Sequence, residues 1–390
     1  PTTPHLDGLA ERSVVFEQHY AHSSRTGPSM ASVFTGLHGP SHGVINPLDA
    51  FDAKGTLAES QVVLAELLSA AGWSTQGFVA NINVSARFGF SQGFDGYQHA
   101  RATAEEINRA AKDWLGKRGT QPYFLYLHYM ETHSPYQVPG GSTAFVDPAY
   151  SGPVDGSHEQ LDSILKGDLS LNAEDQAHLV GLYDQSLAYF DAQFGALLGF
   201  METQGHLENT LVVFLSDHGE EFFEHGAVLH GYTLYEEQLH VPFIVLQPGS
   251  EAARVSRRTR HVDVMPTILD MLELDHPEGL QGTSLVNHSA GEGAELPVYA
   301  QTQIQAVKTA QVESFTDGQR KLIRQTLPVE RSELFDLADD PREAQTLASP
   351  AGDMREKLEA FKKSLPRAET VEVQLTREEM ESLKALGYLE

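Results

Sequence analysis

A dense group of metal-ligating side chains follows one apolar segment of the sequence. Residues 210–215 read TLVVFL, which is typical of a buried strand. Ligands bind at the carboxyl ends of strands in α/β sheets, and an adjacent carboxylate and imidazole there suit Mg, Mn, Ca or Zn. The alternative, a solvated acidic loop, is disfavoured by the number of candidate ligands in residues 217–230, namely Asp217, His218, Glu220, Glu224, His225 and His230.

A hydroxyl and a further imidazole stand at comparable positions. Thr26 precedes Gly27-Pro28-Ser29, where a helix is predicted to begin with proline in its first turn. The N–H groups at a helix N-terminus favour an anion, so Thr26 beside a divalent ion can act as a nucleophile, with an N-cap as its alternative role. His133 follows the apolar segment 123–129 in a loop bounded by proline. It can donate to an oxyanion or be a structural loop histidine.

The elements that must position these residues alternate between helix and strand, which predicts an α/β fold with a mostly parallel sheet between helices. The apolar patterns predict strands at 74–80, 123–129, 210–215 and 241–246, and helices at 56–71, 102–117, 173–204 and 263–273.

The composition changes near residues 286–297, which predicts a linker between two domains. Residues 1–290 are then the catalytic domain, and residues 295–390 a small C-terminal α+β domain with a hairpin turn at Thr316-Asp317-Gly318. A charged helix is predicted at about 352–364. The one basic cluster, predicted to be a solvated loop, contains Arg254, Arg257, Arg258 and Arg260.

Composition excludes several classes of protein. The 390 residues include 27 Lys+Arg and 54 Asp+Glu, and the resulting charge of −27 argues against a nucleic-acid partner. A hydrophobic content of 41% is that of a globular protein. No run reaches the about 18 to 20 apolar residues of a membrane span. With no cysteine, disulfides, thiolate metal sites and a cysteine nucleophile are excluded.

Together, these segments resemble the sulfatase family of the alkaline phosphatase superfamily. Thr26–Gly36 (TGPSMASVFTG) resembles the nucleophile motif, in which Cys or Ser is followed by x-Pro-Ser-Arg. Asp217–Gly226 (DHGEEFFEHG) is similar to the metal-ligand motif, and His133-Ser-Pro-Tyr to a substrate-binding His-x-Pro segment. Further similar stretches begin at Thr3 and Glu333, so the resemblance covers essentially the whole chain.

The resemblance implies a role for each matching residue. Asp217, His218 and Thr26 would bind one divalent metal ion, with Thr26 at the nucleophile position. His133 would bind the sulfuryl or phosphoryl group, and His225 would be a second active-site histidine. His230 would contact the ester or assist the leaving group, and Asn81 lies near an oxyanion-binding position. A second metal would need an Asp-x3-His motif, which neither Asp184 nor Asp191 begins.

Two departures from the family motif bear on the reaction. Sulfatases oxidise the motif Cys or Ser to formylglycine, which Thr26 cannot become, and the motif arginine is replaced by Met30. We therefore expect no formylglycine, and instead a hydrolase of phosphate (di)esters or phosphonates with a Thr26 nucleophile. A sulfuric ester hydrolase is the alternative, and a non-catalytic homologue the second alternative.

A third departure concerns the first strand. Family members open with a buried strand whose terminal Asp residues complete the metal site, before the stretch that here begins at Thr3. We therefore expect the chain to lack this central strand, the sheet to show a gap, and the metal to have about three protein ligands. The resemblance also implies a periplasmic or secreted protein. Its substrate would be a small-molecule or glycan- or lipid-linked anionic ester.

Overall fold

The computed structural model describes residues 1–45, 53–139, 144–286, 295–304, 310–348 and 351–384. Its strands are β1 Val14–Tyr20, β2 Ala53–Thr56, β3 Ser74–Val79, β4 Gly96–His99, β5 Tyr123–His128, β6 Val212–Leu215, β7 Glu221–Phe222, β8 Val228–Leu229, β9 His240–Val241, β10 Phe243–Leu246, β11 Ala253–Arg260, β12 Val298–Ile304, β13 Ala310–Asp317, β14 Arg320–Leu327, β15 Arg331–Asp336 and β16 Val371–Gln374. Its helices are α1 Pro4–Ala10, α2 Thr26–Thr35, α3 Gly39–His42, α4 Leu64–Ala70, α5 Ala104–Lys117, α6 His158–Lys166, α7 Ala173–Thr203, α8 Glu236–Leu239, α9 Val264–Met271, α10 Gly352–Ser364 and α11 Arg377–Lys384.

The central strands form two sheets. One has the order β11-β1-β10-β6, with β9 also paired to β1; β11 runs parallel to β1, and β10 antiparallel to both its neighbours. The other has the order β4-β3-β5 and is entirely parallel. The fold is thus α/β with a mixed sheet, and β1 is a strand that the sequence did not predict.

Strands β5 and β6 stand at facing sheet edges. Among the described residues they share no backbone pairing, although the hydroxyls of Tyr123 and Thr210 meet at 3.0 Å at their amino ends. The expected gap left by a missing strand stays a prediction. Strand β1 does not bring a carboxylate to Asp217, because its only acid, Glu17, is exposed. The identity of a strand that could fill the gap stays a prediction.

Helices cover both faces of the larger sheet. On one face Met30 and Phe34 of α2 belong to the same buried cluster as Phe16 of β1 and Phe243 of β10, whose rings stack at 4.7 Å. On the other face α7 packs Phe190 and Phe194 against strand residues of β6 and β10. This two-sided burial explains the continuous apolar runs in these strands. Among the described helices none is long and apolar enough to cross a membrane.

The basic segment around residue 257 is a strand, and the predicted solvated loop is wrong. Arg258 and Arg260 are buried near the end of β11, which pairs with β1. Arg260 forms hydrogen bonds of 3.1 and 2.7 Å with the two carboxylate oxygens of Asp263. This bidentate ion pair makes burial of the guanidinium possible.

The C-terminal region is built on an antiparallel sheet with the order β12-β13-β14-β15. Helix α10 packs Met354 and Leu358 against Phe315 and Leu322 of this sheet. The hairpin predicted around Asp317 joins β13 to β14, whereas most of the predicted linker, residues 287–294, lies outside the described residues. Strand β16 returns to pair with β2, so the end of the described chain packs on the first domain.

A buried lysine ties the C-terminal sheet to α8. Lys321 on β14 is 1% exposed, and its Nζ lies 2.8 Å from carboxylate oxygens of both Glu236 and Glu343. Burial opposes the charge, but the two carboxylates raise the pKa of Lys321 above its ordinary value. The three side chains therefore stabilise one another as ions.

Replacing Lys321 should destabilise the whole fold. Lys321→Met leaves two buried carboxylates without their cation, which we expect to lower the free energy of unfolding by about 3–5 kcal/mol. Chemical denaturation measures this change, with Lys357→Met, an exposed lysine on α10, as the matched control. Adding Glu343→Gln should recover part of the loss. Wild-type stability of Lys321→Met would contradict the assignment.

Candidate active site

The predicted site residues come together at the carboxyl ends of the central strands. Thr26 follows β1, Asn81 follows β3, His133 follows β5, and Asp217 and His218 follow β6. These four strands run in the same direction, so their ends meet along one edge of the fold. This is the position at which ligands bind in α/β proteins.

Thr26 is the first residue of α2 and is 1% exposed. Arg25 precedes it in an extended conformation, so the chain turns into the helix at Thr26, and Gly36 ends the helix at φ 66°. Thr26 Oγ1 accepts a hydrogen bond of 3.2 Å from Asn81 Nδ2 and lies 3.4 Å from His218 Nε2. The hydroxyl thus stands at a helix N-terminus, where an anion is stabilised.

Asp217 and His218 direct lone pairs toward Thr26. His218 Nδ1 donates to the carbonyl oxygen of Gly219 at 3.0 Å, so neutral His218 has an unprotonated Nε2. This Nε2 lies 3.4 Å from Asp217 Oδ2. Burial opposes ionisation of Asp217, but His218, His128 and a hydrogen bond from Thr26 hold the pKa of its carboxyl below the ordinary value.

Hydrogen bonds of Ser29 and His261 hold the backbone around Asp217 in place. Ser29 Oγ on α2 donates to the carbonyl oxygen of Asp217 at 2.5 Å, and His261 Nδ1 lies 2.9 Å from the same Oγ. His261 Nε2 donates to the carbonyl oxygen of Ser216 at 3.1 Å. These contacts connect the residues before His218 to α2 and to the end of β11, so the position of the carboxylate is defined by three elements.

His133 and His230 line the same site. Their rings are 4.9 Å apart, and the ring of His230 is 4.1 Å from that of His218. Burial lowers the pKa of His133 to about 3, and the pKa of His230 is also lowered by burial and by His218. Both imidazoles are therefore neutral at pH 7.

Glu220 supports His230. Its Oε1 lies 3.0 Å from His230 Nδ1, and burial raises the pKa of Glu220 to about 7. A carboxyl group and an imidazole so paired can hold one proton between them near neutral pH. The sequence placed Glu220 in the ligand cluster without giving it this role.

His225 does not join the site. Its Nδ1 lies 2.7 Å from Glu237 Oε1, and its Nε2 3.1 Å from the carbonyl oxygen of Glu343. The ring stacks on Tyr235 at 3.6 Å. Both ring nitrogens therefore contact groups outside the Thr26 site, toward the C-terminal region. The expectation of a second active-site histidine at this position stays a prediction, and the contacts of the ring are with Glu237 and Glu343.

Three polar residues near Thr26 were not predicted, of which Asn83 and Lys54 are buried and His128 is half-buried. His128 lies close enough to Asp217 to help hold the pKa of that carboxyl down, and Asn83 and Lys54 continue a hydrogen-bond network behind Asn81. The signal for His128 was its place as the last residue of the strongly apolar strand β5. Lys54 carried no recognisable signal, because one lysine in the four residues of β2 is unremarkable.

The donor set fits a divalent ion. His218 Nε2 lies 3.4 Å from both Asp217 Oδ2 and Thr26 Oγ1. All three atoms carry lone pairs, and a cation between them would relieve their mutual repulsion. One carboxylate, one imidazole and one hydroxyl are fewer ligands than a complete Zn or Ca site has. Among the described residues there is no group of three or more His, Asp or Glu that could hold a metal.

Asp191 has a structural role. Its carboxylate oxygens accept hydrogen bonds of 3.0 and 2.8 Å from the backbone N–H groups of His5 and Leu6. It thus satisfies the exposed amino end of α1 from α7.

Comparison with curated proteins gives distant relatives named as sulfatases. Arylsulfatase K of Bos taurus is 26% identical over 299 residues, covering 65% of this chain and 53% of the relative. The uncharacterized sulfatase YidJ of Escherichia coli strain K12 is 25% identical over 277 residues, with the same coverage of both chains. The chain thus spans about half the length of these curated relatives.

Comparison with solved structures shows the fold over nearly the whole chain. BT4656, solved in complex with its substrate D-glucosamine-2-N,6-O-disulfate, has a TM-score of 0.72 at 20% identity and covers 99% of this chain and 93% of its own. The phosphonate monoester hydrolase of Agrobacterium radiobacter has a TM-score of 0.72 at 19% identity and covers 93% and 89%. The fold is therefore that of the sulfatases and of the alkaline phosphatase superfamily.

Family profiles match both parts of the chain. The C-terminal profile of N-sulphoglucosamine sulphohydrolase matches residues 224–370. The sulfatase profile matches residues 1–274, which is more than half of the sequence and includes Thr26, Asn81, His133, Asp217 and His218. The chain belongs to the sulfatase family.

Proposed function

We propose that this protein is a metal-dependent hydrolase of phosphate diesters or phosphonate monoesters in which Thr26 is the nucleophile. The observation that carries the proposal is the position of Thr26 Oγ1, at the N-terminus of α2 and within 3.4 Å of both Asn81 Nδ2 and His218 Nε2. A hydroxyl held by a donor and an acceptor at a helix N-terminus is oriented for attack and has an environment that tolerates an alkoxide.

Asp217, His218 and Thr26 would hold one divalent ion, which when bound lowers the energy of the nucleophile oxygen and of the anionic ester. Because Asp217 stays ionised at low pH, its charge is available for the ion throughout the neutral range. His218, whose Nδ1 contacts the carbonyl oxygen of Gly219, would offer Nε2 on the same side. The metal itself, Ca, Mn, Mg or Zn, is left open by a mixed set of oxygen and nitrogen ligands.

The remaining histidines, His133 and His230, would act on the ester substrate. Thr26, whose hydroxyl proton has already left to solvent, would attack phosphorus as the alkoxide; the bond to the leaving alcohol breaks, and the alcohol oxygen takes a proton from the His230–Glu220 pair. Water then attacks the phospho-Thr26 ester and gives one proton back to that pair, and the bond between phosphorus and the Thr26 oxygen breaks, which regenerates the alkoxide. His133, whose ring neighbours that of His230, is placed to bind the transferred group.

The preference for phosphorus rests on residues 26 and 30. Threonine does not supply the aldehyde that sulfatases use, and Met30, at the position of the motif arginine, is 4% exposed within the main hydrophobic cluster. A methionine in an apolar cluster has no charge to offer a formylglycine. The phosphonate monoester hydrolase of the same fold gives this reading a precedent among the structural neighbours.

A sulfuric ester hydrolase is the second candidate, and the names of the relatives favour it. The curated relatives are named arylsulfatase K and sulfatase, and one structural neighbour was solved with a sulfated glucosamine. We propose the same site residues for either ester, with a small-molecule or glycan- or lipid-linked anionic substrate. By family resemblance we place the protein in the periplasm or outside the cell.

Thr26→Ala should abolish turnover. Loss of a covalent nucleophile removes the first bond-forming step, so we expect kcat/KM to fall more than about 1,000-fold. The assay uses p-nitrophenyl sulfate, bis-p-nitrophenyl phosphate and a phosphonate monoester with Mn, Ca or Zn. Thr26→Ser retains the hydroxyl and should keep part of the activity. Thr203→Ala, an exposed threonine at the end of α7, is the matched control.

The outcomes of this assay separate the candidates. Phosphate or phosphonate turnover that requires Thr26, with a phosphorylated Thr26 peptide trapped by acid quench, supports the proposal. Turnover of the sulfate alone supports the sulfatase reading. Full activity of Thr26→Ala contradicts a Thr26 nucleophile for every substrate, and absence of turnover and of metal binding favours a non-catalytic homologue.

His230→Gln should lower kcat most for esters with poor leaving groups. A proton donor contributes about 10²- to 10⁴-fold when the alcohol is a weak acid, and little when it is p-nitrophenol. We therefore expect kcat for an alkyl ester to fall much more than kcat for the p-nitrophenyl ester. His276→Gln, an exposed histidine after α9, is the control. An equal loss on both esters would show that His230 acts in another step.

Asp217→Asn should weaken metal binding. Losing the single carboxylate of the donor set should cost more than the about 10- to 100-fold that losing a supporting residue costs in affinity. Isothermal titration calorimetry with Mn, Ca and Zn measures the effect without turnover. Asp275→Asn, an exposed carboxylate, is the control. Equal affinity in Asp217→Asn and wild type would place the ion elsewhere.

A further inference from the structure

A buried lysine lies at the far end of the hydrogen-bond network behind Thr26. Lys54 is 7% exposed on β2, where it pairs in register with Val373 of β16. Its Nζ donates to Asn83 Oδ1 and lies 5.9 Å from the centre of the Phe88 ring. Nothing in the family motifs of the sequence assigns this lysine a role.

The hydrogen bonds between Lys54 and Thr26 all run in one direction. Asn83 Nδ2 donates to Asn81 Oδ1 at 3.1 Å, and Asn81 Nδ2 donates to Thr26 Oγ1 at 3.2 Å. The backbone N–H of Asn83 also donates to Asn81 Oδ1 at 2.9 Å. Because a backbone N–H can only donate, Asn81 must turn its oxygen toward Asn83 and its amide nitrogen toward Thr26.

The same reasoning determines the orientation of the Asn83 side-chain amide. With its nitrogen donating to Asn81, its oxygen faces Lys54 Nζ, which has N–H donors whether or not it is protonated. Burial lowers the pKa of Lys54 to about 7, so the ammonium and the amine are both present near neutral pH. Both amide orientations follow from the backbone N–H of Asn83, whose hydrogen-bonding role is not adjustable. Hydrogen bonds in such a chain polarise one another, so a positive charge at one end strengthens the last donor in the chain.

The last donor acts on the oxygen that reacts. A hydrogen bond from Asn81 to Thr26 Oγ1 is stronger when that oxygen carries negative charge, so it favours the alkoxide over the hydroxyl. On the other side of the oxygen His218 Nε2 lies at 3.4 Å. The amide thus determines both the charge that Thr26 tolerates and the direction in which its lone pairs point.

We propose that Lys54 is a positioning residue that acts through Asn83 and Asn81 to hold a polarised N–H donor on the nucleophile oxygen of Thr26. The proposal rests on the function proposed above for Thr26. Lys54 reaches Thr26 through two amides, so its effect should fall on the reaction step and not on substrate affinity. The competing role, direct substrate binding, is open to it because Arg25, Thr26, Lys54 and Asn83 line one pocket.

Lys54→Met tests the proposal by a split between kcat and KM. We expect kcat to fall about 10- to 100-fold, as for other supporting residues, with KM changed less than about twofold. Asn83→Ala breaks the same chain in its middle and should cost a similar factor. The double variant should be no slower than the worse single variant, because both remove one connection. Lys363→Met, an exposed lysine on α10, is the matched control.

The absence of cysteine in the sequence allows a rescue. Lys54→Cys, alkylated with 2-bromoethylamine in the unfolded chain and refolded, restores an ammonium at position 54 only. Recovery of kcat in the alkylated protein, verified by mass spectrometry and melting temperature, supports a role of the charge. An alkylated protein that folds but stays as slow as Lys54→Met overturns it.

A readout without turnover separates this proposal from the function it rests on. The side-chain ¹⁵NH₂ resonances of Asn81 should shift in Thr26→Ala, which removes the acceptor, and in Lys54→Met, which removes the distant donor. A shift in Thr26→Ala alone, a KM effect in place of a kcat effect, or additive losses in the double variant would each overturn the proposal for Lys54. Full activity of Thr26→Ala would instead overturn the proposed nucleophile.

Discussion

The half-buried negative charge of Asp217 is the constraint on which the site depends. An ionised carboxylate inside a protein costs several kcal/mol unless cationic or hydrogen-bonding groups surround it. Here those groups come from separate elements: His128 ends β5, His218 follows β6, and Thr26 begins α2 after β1. The order and direction of the strands must therefore bring their carboxyl ends together. The sheet thus holds in place the groups that stabilise this charge, and burial of its large apolar faces stabilises the sheet.

The C-terminal region takes part in the same arrangement. Strand β16 pairs with β2 and so fixes the strand from which Lys54 reaches the polar network behind Thr26. Lys321 on β14 holds Glu236, which lies six residues after His230. His225 reaches the carbonyl oxygen of Glu343. The C-terminal region thus positions the segments around Thr26, so the small sheet and the site cannot vary independently.

Elements with strong local signals could be predicted from the sequence, and elements defined by distant partners could not. Strand β5 and helices α7 and α10 have continuous or periodic apolar patterns, and their predicted and observed ranges nearly coincide. Strand β1 has a mixed pattern, and the arginines of β11 are typical of a surface loop; both are strands because they pair with each other. Among the site residues, Asp217 and Thr26 stand beside recognisable motifs. The displacement of His225 depends on Glu237 and Glu343, which no local pattern reveals.

The proposed threonine nucleophile would have a consequence for the whole reaction. An alkoxide of Thr26 would form an ordinary ester with the transferred group, and that ester would break only by a second attack at phosphorus or sulfur. The leaving alcohol and the attacking water must then occupy the same place opposite Thr26 and use the same proton-transfer group. The pairing of His230 with Glu220 suits this double use, because a pair that shares a proton near pH 7 can give it in one step and recover it in the next. The neutral His133 beside it can hold the transferred group through both steps without adding a competing acid.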